Sequence, residues 1–240
     1  MPRIRGVAAL TIHYHGTPIT PRETLYTLAG KHFCVSFAEP RDADVCARIG
    51  QSVLYDNGKF TAHQQGIQID EQALYAWLAE RLAHPHRAVV LDEIGGDVEM
   101  QRAMVRRWPL PRELSWPVWH LDKPLDYLLE LVDAWPGVCL GSAGDFWEVG
   151  APPWRQKMIE VFEFLAKHRT VMPHLHGLRM LGQCDDIWPL ASADSVNVAR
   201  NHAGSSKAPK KDAKKMAERI DAVQCPTFWV PPPRQLEFAA

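Results

Sequence analysis

No apolar run in this chain is long enough to span a bilayer. Near the N-terminus the apolar residues reach only from Val7 to Ile12 before His13-Tyr14-His15, with no signal-peptide cleavage pattern beside them. No membrane partner and a cytoplasmic setting are therefore expected. Paired cysteines are lacking as well. Cys34, Cys46, Cys139, Cys184 and Cys225 are odd in number and never in C-x-x-C spacing, which argues against a disulfide framework and a local zinc knuckle. Buried, reduced thiols are the expectation. Nor does one sign of charge dominate. Lys+Arg total 27 against 28 Asp+Glu, a formal net charge of −1, so any basic surface that meets nucleic acid must be local. No G-x-G-x-x-G or P-loop pattern follows an early strand-like run, which argues against a nucleotide cofactor. No cofactor and no resident metal are expected, and no internal repeat is visible.

What is present is a globular composition. Hydrophobic residues make up 46% of 240, enough to bury one large core. Short apolar runs alternate with longer amphipathic stretches. The runs are Val7–Tyr14, Phe33–Phe37, Ser52–Tyr55, Ala88–Leu91, Pro117–Leu121, Val138–Leu140, Val171–Leu175 and Pro189–Ala193. Between them the patterns predict helices over Pro21–Gly30, Arg41–Ile49, Glu71–Ala83, Val98–Trp108, Pro124–Ala134 and Pro153–His168. In the third of these, Leu74, Trp77, Leu78 and Leu82 recur at spacings of three and four behind Asp70 as an N-cap. Eight strand-like runs with helices between most of them predict an α/β fold, a single compact (β/α)8 TIM-type barrel over residues 1–203. Residues 204–240 read as a C-terminal extension. Lysines crowd there, a helix is predicted over Lys210–Val223, and Pro231-Pro232-Pro233 reads as an extended strap.

Chemistry in such a barrel sits at the C-terminal ends of the strands, and the apolar runs end in reactive groups. One ends in His13-Tyr14-His15, others in Asp56-Asn57-Gly58, Asp92-Glu93, His120-Leu121-Asp122 and Gly141-Ser142. One contains His174 and His176, and the last ends in Asp194-Ser195. Each Asp alone reads as readily as an N-cap or turn former, and each His as a structural residue. The weight lies in three carboxylates at the ends of different strands. The H-x-H pair also permits a competing reading, a metal-dependent barrel hydrolase using His13 and His15, since alternate strand residues point the same way.

Several segments, in order, resemble the tRNA-guanine transglycosylases. Ser52–Phe60, with Asp56-Asn57-Gly58-Lys59-Phe60, is similar to the family's D-S-G-x-F segment. Val90-Leu91-Asp92-Glu93 resembles its F-D-E strand end, and Val138–Gly144 its A-L-G-G segment. His176-Gly177-Leu178 sits where the family has G-x-G, and Pro189–Ser195 resembles the strand that carries its catalytic aspartate. The family's tRNA enzymes are longer and carry a C-terminal zinc site with clustered cysteines. Lacking both features, this chain is most similar to the relatives that insert 7-deazaguanine derivatives into phage and bacterial DNA.

The resemblance implies a pentosyltransferase. Asp194 would be the covalent nucleophile at C1′, a task that suits a carboxylate facing an oxocarbenium-like transition state. Asp56 would carry the proton between departing guanine and incoming base. Asp92 would accept from the guanine donor edge, the Gly141-Ser142 backbone would meet the base carbonyl, and Asn57, His120 and His176 would line the pocket. Tyr55, Phe60 and Trp147 are aromatics open to either stacking on the base or core packing. Asn197, Arg200, Lys207, Lys210, Lys211 and Lys214 would hold phosphates, or form a solvated face. DNA ahead of tRNA and a free 7-deazaguanine base are the implied partners, with the target nucleotide flipped out of its stack. A catalytically silent nucleic-acid-binding relative is a third reading.

Overall fold

The computed structural model describes residues 4–5, 10–204 and 209–233. In chain order its elements are β1 (Ile4–Arg5), β2 (Ile12–Gly16), α1 (Arg22–Tyr26), β3 (His32–Ser36), α2 (Ala43–Ile49), β4 (Ser52–Asp56), α3 (Lys59–Gln65), α4 (Glu71–Ala79), β5 (Arg87–Val89) and α5 (Val98–Arg106). There follow β6 (Ser115–Trp116), β7 (Val118–His120), α6 (Leu125–Ala134), β8 (Val138–Gly141), α7 (Pro152–His168), β9 (Leu175–Gly177), β10 (Ser192–Ser195), α8 (Asn197–Asn201), α9 (Ala213–Asp221) and β11 (Phe228–Trp229).

Nine strands pair in parallel in the order β6-β5-β4-β3-β2-β10-β9-β8-β7 and form a nearly closed barrel. The expected number was eight. The extra strand has a local cause, because β6 and β7, the two ends of that order, are halves of one run divided by Pro117, which has no N–H to give to a ladder. Trp116 C=O accepts from Val90 N–H at 2.9 Å on one side of the break, and Pro117 C=O accepts from Cys139 N–H at 2.8 Å on the other. The divided run thus bonds to both of its neighbours.

Strand alternation sorts the side chains into two cores. Tyr14, Cys34, Leu54, Val89, Trp116, Val118 and Cys139 pack together inside the barrel. Their neighbours along the strands, among them Phe33, Val35, Val53, Tyr55, Ala88, Val138, Leu140 and Ala193, join the larger core between strands and helices. Truncating a fully buried member such as Leu54 costs about 2–5 kcal/mol. The outer core extends into the last described residues: Met216, Ala217, Cys225 and Trp229 belong to it, and Trp229 stacks on Phe162 and Trp188 with ring centroids 5.2 and 5.9 Å away.

Helix α9 is shorter than the span predicted, 213–221 rather than 210–223, because Asp212 caps it by accepting from Lys215 N–H at 3.1 Å. Helix α3 was not expected. It starts directly after Gly58, whose left-handed φ of 76° turns the chain sharply out of β4. All five cysteines are buried. Among the described residues no helix is long and apolar enough to cross a membrane.

Candidate active site

The parallel strands present their C-terminal ends on one side, and the carboxylates gather there. Asp56 ends β4, Asp92 follows β5 and Asp194 lies one residue from the end of β10. Cα registry places Asp194 opposite Tyr14 and Asp56 opposite Ser36. All three side chains stand above the apolar interior layer.

Asp194 is buried. Its Oδ1 accepts the backbone N–H of Arg179 at 2.7 Å, and His176 Nε2 lies 3.3 Å from the same oxygen. His176 is itself oriented from behind, because its Nδ1 pairs with Ser192 Oγ at 2.9 Å, and Ser192 Oγ also meets His174 Nε2 at 3.2 Å. A serine hydroxyl has one proton. If His174 donates to Ser192 and Ser192 donates to His176 Nδ1, the remaining His176 proton sits on Nε2 and faces Asp194. Burial pushes His174 down to about 4, so it is neutral at physiological pH.

Asp56 is only partly exposed, and Gly58 N–H donates to its Oδ2 at 3.0 Å. Burial is the main force on this carboxyl, and the neighbouring charge of Asp194 adds to it. Together they outweigh the bonds from Ser36 and Gly58 and lift it from 3.8 to about 6. Two carboxylates in electrostatic contact, one of which takes a proton near neutrality, suit an acid–base partner beside a nucleophile. Beneath them the Cys34 and Cys139 thiols are driven far up by burial and by the same two aspartates, so they stay protonated.

Asp92 is buried with each oxygen already engaged. Asn57 Nδ2 donates to Oδ1 at 2.8 Å, and His120 Nε2 lies 2.7 Å from Oδ2. A carboxylate has about four acceptor positions, so this pairing fixes its orientation and leaves lone pairs over. Asn57 also donates to Val90 C=O at 2.9 Å. His120 Nδ1 is buried and has no partner among the described residues, and a Cβ at Gly141 would sit 3.0 Å from it. Any side chain at position 141 would therefore crowd this imidazole nitrogen. The Ser142 side chain is turned away and accepts from Trp154 Nε1 at 3.1 Å, so only its backbone can face the mouth.

The structure separates other expected residues from this cluster. His13 and His15 flank the inward-facing Tyr14 and so lie on the outer face of the barrel, where His15 Nε2 meets Asp221 Oδ1 at 2.9 Å. Strand alternation thus turns both imidazoles of this pair away from the three aspartates at the mouth. Among the described residues no three His, Cys, Asp or Glu side chains converge as a metal-binding group. Tyr55 is buried on the outer face against Trp77, while Trp147 is exposed and Phe60 stands at the rim. Asn197 and Arg200 are exposed on α8, immediately after the Asp194 strand. Lys210, Lys211 and Lys214 are exposed near or on α9, and a surface hollow of about 560 Å³ there is lined by acidic and basic residues alike, Lys211, Asp212, Lys215, Glu218 and Arg219 among them. Lys207 lies outside the described residues.

Three participants escaped the sequence reading. Lys59 is buried and pairs with Glu93 at 2.7 Å, tying the Asp56 loop to the Asp92 loop. Ser192 sits one alternation below Asp194. Arg179 has a left-handed φ of 59° and places its guanidinium carbon 3.5 Å from the centre of the Phe60 ring. The lost hydration lowers its pKa against the opposing pull of Asp194 and Asp56. Only its position just beyond a strand end marked it in the sequence. Comparison with known protein families and with curated proteins finds no match.

Proposed function

We propose that this chain is a pentosyltransferase that exchanges guanine in nucleic acid, DNA ahead of tRNA, for a free 7-deazaguanine derivative. In this reading the divided run 115–120 counts as one strand, and the fold is a TIM-type (β/α)8 barrel with the C-terminal segment packed onto it. The observation that carries the reading is the pairing of Asp56 and Asp194 at the C-terminal mouth, with Asp56 raised to about 6 partly by the charge of Asp194.

In the first half-reaction Asp194 forms a bond to C1′ as the C1′–N9 bond breaks. The electron pair of that bond goes to the guanine, which takes a proton from neutral Asp56. In the second half, ionised Asp56 removes a proton from the incoming base. The freed nitrogen attacks C1′ and expels the Asp194 carboxylate. Asp92, held by Asn57 and His120, accepts from the donor edge of the base. His120 Nδ1, which has no partner among the described residues, is left for a polar edge of the bound base.

The test is incorporation of radiolabelled guanine or a 7-deazaguanine, measured separately with duplex DNA and with tRNA. Label is expected in DNA, and none in either substrate with Asp194→Asn, whose fold should be intact by circular dichroism. Label entering tRNA instead would keep the chemistry and change the substrate. Full activity in the Asp194→Asn variant would overturn the nucleophile assignment.

A further inference from the structure

We propose that Arg179, stacked on Phe60, is the receptor for a backbone phosphodiester next to the target nucleotide. The inference rests on the nucleic-acid reading of the mouth and adds to it a specific anion site.

Arg179 follows β9 by two residues and adopts a backbone conformation that non-glycine residues rarely visit. Such a conformation costs about 1–2 kcal/mol, and strain of this kind collects at binding and catalytic sites. Here it is held by the bond from Arg179 N–H to Asp194 Oδ1 at 2.7 Å. The backbone that orients the candidate nucleophile therefore also launches this side chain. The guanidinium carbon lies 3.5 Å from the centre of the Phe60 ring, close enough for face-to-face stacking. Phe60 is 40% exposed, so the pair stands at the rim rather than in the core.

No described residue takes up the donors of this guanidinium. Among the described residues Arg179 makes no side-chain hydrogen bond and no ion pair, whereas Arg81, Arg102, Arg107 and Arg155 all pair with carboxylates. An arginine fork that is stacked, held in one plane and left without an acceptor is prepared for a planar or tetrahedral oxyanion. The ring covers one face, which cuts the rotamer entropy lost on binding. Position decides which anion. Asp194 is to bond C1′, and each phosphate flanking a nucleoside is only a few bonds from C1′. An arginine side chain starting from the residue that touches Asp194 covers a similar reach. Its positive charge also offsets the repulsion that carboxylates at the mouth exert on an approaching phosphate.

The experiment is fluorescence anisotropy of the full chain with a labelled single-stranded DNA containing one guanine. The same oligomer carries a neutral methylphosphonate beside that guanine in a second set, and an RNA of the same sequence is a third. Arg179→Gln is expected to weaken binding of the native DNA about tenfold and to lower the slope of log affinity against log salt by about one. On the methylphosphonate DNA the same substitution should change little, because the acceptor is already gone. Arg179→Lys should retain the salt slope and lose several-fold affinity through the missing fork and stack. Phe60→Leu, which leaves the Arg179 backbone untouched, should weaken binding by a similar several-fold. Affinity and slope unchanged in both Arg179→Gln and Phe60→Leu would overturn the proposal, as would an equal loss on native and methylphosphonate DNA. Tighter, Arg179-dependent binding of the RNA would keep the phosphate receptor and assign it to RNA. If Arg179 governs binding while no base exchange occurs, the transglycosylase reading fails and the receptor stands. If exchange proceeds with an unaltered KM and salt dependence in Arg179→Gln, the receptor fails and the chemistry stands.

Discussion

A carboxyl that titrates near 6 links the chemistry of the mouth to the stability of the fold. The folded protein holds the Asp56 proton more tightly than the unfolded chain does. The stability it contributes is therefore full below about pH 4 and is lost as pH rises toward and through 6. A shift of this size is worth at most about 3 kcal/mol, and water reaching the partly exposed group reduces that to about 1–2 kcal/mol. Asp56→Asn should accordingly raise the melting temperature at pH 8 and leave it unchanged at pH 4, as read by calorimetry at the two pH values. Activity should move the opposite way. Wild-type guanine release should fall as pH rises above about 6, where the acid form is lost, and Asp56→Asn should show little release at any pH. Ser192 supplies a second test at this scale. Ser192→Ala leaves two imidazole nitrogens without their shared partner, at a cost of about 1–3 kcal/mol. Because the hydroxyl bonded to Nδ1 biases which His176 nitrogen carries the proton beside Asp194, kcat should fall several-fold while KM for nucleic acid stays put. Equal kinetics in wild type and Ser192→Ala would leave the serine a purely structural role.

At the scale of elements, the turn from β4 into α3 delivers Asp56, Asn57 and Lys59 to the mouth, and a single glycine permits it. Gly58 has φ 76°, and a Cβ there would lie 2.8 Å from Ala38 N. Gly58→Ala should cost about 2 kcal/mol or more, from the left-handed conformation and the backbone clash, read as a lower urea midpoint with an unchanged m-value. The same turn shows how far the sequence could be read. Asp56-Asn57-Gly58 announced a tight turn after a strand, and the carboxylate ending that strand was recognisable. Helix α3 was not, because Lys59–Gln65 is polar and short and the loop geometry, rather than periodicity, starts it. The runs 171–175 and 189–193 lay upstream of the strands that form, 175–177 and 192–195, because Pro173 and Pro189 cannot donate to a ladder and the pairing starts after them. Arg179 and Ser192 were illegible for another reason: their importance comes from contacts to groups far away in sequence.

For the whole molecule, the question is how a chain with a net charge of −1 keeps its last segment on the barrel. Met216, Ala217 and Trp229 bury their apolar surface in the core of the barrel, and one polar clip adds to that packing. Asp221, at the end of α9, accepts from Lys31 Nζ at 2.6 Å and pairs with His15 Nε2 at 2.9 Å, joining the C-terminal helix to the residue before β3 and to β2. Burial alone would raise this carboxyl, but the bonds from His15 and Lys31 outweigh it and hold it below the ordinary carboxylate range. Its contribution is therefore present above the unfolded carboxyl value and lost as pH falls below about 4 through the lowered folded value. Asp221→Asn should cost about 1–2 kcal/mol at pH 7 and nearly the same at pH 5, with the two proteins converging in stability in stronger acid. Hydrogen exchange locates the effect: amides of α9 should exchange faster in the variant while those of β3 and β4 keep their protection. Uniformly faster exchange would mean that the clip supports the whole barrel, and unchanged exchange in α9 would mean that apolar packing holds the helix without it.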